Sequence, residues 1–148
     1  MCTNKQYLDD LAKKFRELTE RKQNLDYQFM KLSLIDERCD KVYEKINNKY
    51  INSFNLDIVS ILINDINVCI NNIDTIIRNE KNKEDLNKIK EDFNEYFKNY
   101  KIFTEKDHFD INIHFLKVLS NLFGILSNEA ESQVNELDNL NEELLKYK

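Results

Sequence analysis

Glu105 and His108 spell an E-x-x-H, two side chains that a helix places one turn apart on one face and that di-iron helical bundles use to hold metal. A complete site of that kind needs a second such motif and two more inward-facing glutamates, and the only other histidine is His114. The motif also stands where Thr104 and Asp107 read as a capping box at a helix start, so Glu105 and Asp107 are expected to face the positive end of the helix dipole. His114 follows Asp110 by one turn, a spacing for a local pair. Cys2, Cys39 and Cys69 form no C-x-x-C, and neither a glycine-rich phosphate loop nor a G-x-S-x-G is present. No metal, no cofactor and no catalytic residues are expected, and the chain reads as a non-enzyme.

Half of the sixteen Phe and Tyr residues fall between 93 and 123. At helical spacing they predict an aromatic core rather than a stacking platform for bases. With 27 acids against 22 bases and scattered lysines there is no basic stripe for phosphates, so neither nucleic acid nor a membrane surface is an expected partner. The longest charge-free stretch, Val118–Asn128, is too short to span a bilayer, and the amino terminus lacks a signal-peptide pattern. The expected location is cytoplasmic or another intracellular reducing compartment, with free thiols.

The elements that carry these residues are helices. Proline is absent and Gly124 is the only glycine, which removes the residues that most tight turns and bulges require. Heptads starting at Leu8 and Leu11 predict one helix over about 5–51. A turn at Ser53 and Asn55 leads to a second helix over about 55–78. The polar run NEKNKED (79–85) reads as a loop, a third helix covers about 83–103, and a fourth about 105–147, with Gly124 as a candidate kink. The fold class is all-α, an up-down-up-down antiparallel bundle in one domain. The long helices exceed the short ones by about a factor of two, so the bundle head is placed at about 33–125 and an antiparallel coiled-coil stalk at about 5–32 with 126–147. A hairpin turning near 54 makes facing residue numbers in the first two helices sum to about 108. That places Cys39 opposite Cys69, with Cα atoms about 6–10 Å apart.

The candidate stalk and interaction seam consists of Leu8, Leu11, Phe15, Leu18, Lys22, Leu25 and Phe29 against Leu137, Leu140 and Leu144. Lys22 interrupts it and is expected to lie opposite Gln133 or Glu136. Residues 1–31 carry seven bases and five acids, whereas Val118–Leu145 holds six acids and no base, so the arms are complementary in charge. The same seam would also serve a homodimer. The composition and heptads together predict a non-catalytic adaptor or assembly subunit whose partner is another protein. The alternative is a small acidic inhibitor, of the immunity-protein or antitoxin kind, with a basic target.

Overall fold

The computed structural model describes residues 2–47 and 56–146, with side-chain surroundings for 5–37 and 56–146. The expectations for Ser53 and Asn55 and for the side chains of Cys2 and Cys39 lie outside the described residues. The fold is all-α: α1 spans Cys2–Asn47, α2 Leu56–Ile76, α3 Glu80–Phe97 and α4 His108–Leu145, with two short 3-10 turns between α3 and α4. No strand occurs among the described residues.

The direction of α1 against α4 follows from two contacts. Tyr7 Oη donates to Glu143 Oε2 at 3.1 Å, and the Phe29 and Phe123 rings stack at 6.2 Å. Facing residue numbers therefore sum to 150 at one place and 152 at the other, the signature of antiparallel helices. Of the two heptad positions, Leu11, Leu18, Leu25 and Leu32 are buried, whereas Leu8, Phe15 and Phe29 are only half-buried. Two helices without further neighbours bury one ridge of side chains and leave the flanking ridge to water. From Leu25 onward the buried set widens to include Gln28 and Ile35, and Ile35 shares a cleft with Asp65, Val68 and Cys69 of α2.

The main core holds Leu25, Leu32 and Ile35 of α1, six apolar residues of α2 with Ile77 just after it, Leu86, Phe93 and Phe97 of α3, and the stretch of α4 from Ile111 to Leu126. Its first residue on α1 is Leu25. Both α2 and the 105–145 segment are long and apolar enough, at mean hydropathies of 1.3 and 1.2, to cross a membrane by length and composition. That differs from the expectation drawn from charge-free runs. Their apolar residues from Val59 to Ile73 and from Ile111 to Leu126 supply much of the core, which accounts for the hydropathy.

Two boundaries differ from the sequence reading. NEKNKED is not a loop: Asn79 is the N-cap of α3, its side-chain oxygen accepting from the N–H groups of Lys81 and Asn82 at 2.9 and 3.2 Å, and the charged run forms the first turns of the helix. α3 stops at Phe97 rather than near 103. A continuous helix would leave Phe103 roughly 10 Å along the axis from Tyr96, whereas the turn brings their ring centroids to 5.5 Å. Cys69 of α2 shares a cleft with Lys31, Leu34 and Ile35 of α1.

The capping box at Thr104 and Asp107 is present in both directions. Helix α4 runs through Gly124 without interruption, and a Cβ built there meets nothing within 4 Å. Gly124→Ala is therefore expected to stabilise the fold by about 0.5–1 kcal/mol, because it restricts the unfolded chain and costs no native contact. Chemical denaturation of the two proteins is the check, and a lower midpoint for the alanine variant would show that the backbone at 124 is not ordinary helix.

Candidate interaction surfaces and the buried polar junction

The seam residues singled out in the sequence face inward within the chain to different degrees. Leu11, Leu18 and Leu25 are buried at 3%, 4% and 0% exposure, while Leu8, Phe15, Phe29, Leu137, Leu140 and Leu144 are half-buried. Lys22 is exposed, and the α1–α4 register puts it level with residues 128–130 rather than with Gln133 or Glu136. It belongs to the flanking ridge, where a lysine keeps its ammonium in water. Gln133 takes a central place instead, 1% exposed, one turn beyond Glu129 on the same face.

Glu129, one of the six acids counted toward the charge of the α4 arm, is instead 2% exposed and joins three elements. Its Oε1 accepts the backbone N–H of Arg78 at 2.6 Å and its Oε2 accepts the Asn82 side-chain amide at 2.9 Å. The carboxylate thus ties the link between α2 and α3 to the middle of α4. The Arg78 guanidinium turns outward to Glu136 at 3.7 Å, with both side chains about half exposed, a pair worth about 0–1 kcal/mol. The charged cleft beside it, about 370 Å³ and lined in part by Lys14 and Glu17, marks where the two-helix arm meets the bundle.

The residues with chemical potential are held in structural settings. His114 stacks on Tyr96 with centroids 3.4 Å apart, and its Nδ1 lies 2.8 Å from the Asp110 carbonyl oxygen. Burial pushes the Tyr96 phenol up, with Asp110 and Asp107 adding to it, and burial pushes His108 down against the pull of Glu105. The Cys69 thiol is raised by burial, which opposes thiolate chemistry, although Lys31 offsets part of the shift. Among the described residues no three His, Cys, Asp or Glu side chains converge as metal ligands. Phe93, Phe97 and Phe115 form the buried aromatic centre between α3 and α4, with Phe97 and Phe115 stacked at 4.8 Å.

Among the described residues, ten of the thirteen large apolar side chains left in water gather in two places, Tyr7, Val134 and Leu145 lying apart from them. One is the start of α4, where Phe109, Ile113 and Leu116 follow helical spacing, with Ile102 in the turn before them. The other flanks the α1–α2 groove, with Tyr27, Met30 and Leu34 on one helix and Ile58, Ile61 and Val68 on the other. No protein-family model, curated protein or solved structure matches this chain, so its surfaces are interpreted from their own chemistry.

Proposed function

We propose that the chain is a non-catalytic interaction protein, an adaptor or assembly subunit that binds another protein through its helix surfaces. The observation that carries this reading is the stripe Phe109, Ile113 and Leu116, spaced by four and three residues and 63%, 44% and 40% exposed. Ile102, just ahead of the helix, is 76% exposed. A partner helix reads apolar anchors at this spacing, and the rim here carries both signs of charge in Lys106, Asp110 and Lys117, as protein interfaces do.

The test is affinity capture from the native source by the wild-type chain and by a Phe109→Ser, Ile113→Ser double variant. Both substituted side chains are exposed, so the thermal midpoint is expected to stay within a few degrees. One defined protein should be retained by the wild type and reduced at least about tenfold by the variant, the loss of roughly 1.4 kcal/mol or more that two interface anchors supply. Capture that is identical for both chains would remove this surface from consideration. The inhibitor alternative draws on the exposed acids Glu131, Glu136, Asp138 and Glu142 of α4, and it requires a one-to-one complex with a basic protein that high salt dissociates.

A further inference from the structure

We infer that the two-helix arm is a strap that opens independently of the bundle, and that Gln133 sets how often it does so. Gln133 is the last buried residue of α4, since the described side chains from Val134 to Lys146 are all exposed or only half-buried. It is 1% exposed, yet neither its Oε1 nor its Nε2 meets a hydrogen-bond partner. A carboxamide taken out of water with both ends unpaired opposes the contact that buries it.

The α1–α4 register fixes where that opposition acts. Facing residue numbers sum to 150 at Tyr7 and Glu143 and to 152 at Phe29 and Phe123, so Gln133 is level with residues 17–19, where Leu18 is 4% exposed. One heptad inward, Leu25 and Leu126 are level with one another, both 0% exposed and both part of the main core. One heptad outward, Leu11 at 3% is level with Leu140, which is only half-buried. The closed arm therefore has a fully apolar layer at its root, an unpaired amide in the next layer and a thin layer beyond it. An opening that starts from the outer end of the arm passes Gln133 at a gain in amide hydration and stops at Leu25.

Two polar contacts that fasten the arm lie in water. The Tyr7–Glu143 hydrogen bond at 3.1 Å is exposed, and the Arg78–Glu136 pair at 3.7 Å joins half-exposed side chains. Exposed pairs contribute little and salt screens them, whereas the buried amide opposes closure at any ionic strength. Opening rehydrates Gln133 and uncovers two apolar ridges, Leu11 and Leu18 on α1 and Leu137, Leu140 and Leu144 on α4, each at a spacing that a partner helix can read. That use of the ridges rests on the interaction reading above; the opening itself does not, and its test needs no partner.

The experiment is native-state amide exchange of the full chain, wild type against Gln133→Leu. Leucine occupies nearly the same space without a polar atom, so protection over residues 8–18 and 133–144 should rise about tenfold or more, while 59–73 in the main core stays within about twofold. Gln133→Glu sets a carboxylate in the same layer and should lower protection of the arm alone by about tenfold or more. Arm protection that is unchanged or lower in Gln133→Leu would overturn the proposal, because the closed arm then supplies the amide with a partner. So would a gain shared equally by 59–73, since the arm would then open only with the bundle.

Discussion

Replacing Glu129 by alanine is expected to cost about 3–5 kcal/mol, a large share of the roughly 5–15 kcal/mol that holds a domain of this size. The substitution removes a charged acceptor from two donors at once, the Arg78 backbone N–H and the Asn82 amide, and leaves both without that partner in a site where Glu129 itself is 2% exposed. Hydrogen bonds to an ionised acceptor are worth about 1.5–3 kcal/mol each, and the lost side-chain volume adds a cavity. Glu129→Gln should recover part of the loss, because one amide oxygen can serve only one of the two donor directions while its NH2 opposes the other. Arg78→Ala is the informative control. It removes the half-exposed guanidinium but keeps the backbone N–H that Glu129 binds, and should cost less than about 1 kcal/mol. A double-mutant cycle with Asn82→Ala should return a coupling of about 1–2 kcal/mol. A Glu129→Ala loss below that of Arg78→Ala would mean that the carboxylate does not hold the α2–α3 link.

That junction also shows why the fold was legible in the sequence and this site was not. The absence of proline, the single glycine and the heptad runs leave helices as the economical solution, and Leu11, Leu18, Leu25 and Leu32 lie on the predicted ridge because periodicity reports which face is apolar. Periodicity says nothing of a polar residue that turns inward to meet a donor from another element. Glu129 stands in a run of acids on α4, and the feature that buries it is the backbone at Arg78, fifty-one positions away. A signal was available in Asn79: an Asn followed by a charged, proline-free run is a good N-cap, and reading it as one would have converted NEKNKED from loop to helix and brought Asn82 onto the inner face. The early end of α3 was hidden for a similar reason, since Tyr96, Tyr100 and Phe103 keep helical spacing even though Tyr100 Oη reaches Ser60 and Phe103 folds back on Phe97. Lys22 fell outside the seam because the α1–α4 pair buries one ridge deeply and leaves the other partly open, which heptad letters alone do not distinguish.

The difference between one ridge and a full core gives the other large effect. Leu25 and Leu18 carry the same heptad letter and are 0% and 4% exposed, yet only Leu25 belongs to the main core shared by all four helices. Leu25→Asp would force a carboxylate into that core or drive the core open, at a cost of about 4 kcal/mol or more once the lost apolar burial is included. Leu18→Asp interrupts the arm, where α1 has α4 as its main neighbour and a carboxylate reaches water by local fraying. Amide exchange separates the two outcomes. In Leu18→Asp, protection should fall over residues 5–18 and 136–145 and remain near wild type over 59–73. In Leu25→Asp, the 59–73 amides should lose protection together with the arm, as one cooperative unit, and the thermal midpoint should drop by about 8 °C or more, or the cooperative transition be lost. If Leu18→Asp also releases 59–73, the arm and the bundle are one folding unit and the division at Leu25 is not an energetic one. Should Leu25→Asp leave 59–73 protected, the core is held by α2, α3 and α4 without α1, and the junction at Glu129 then becomes its outer edge.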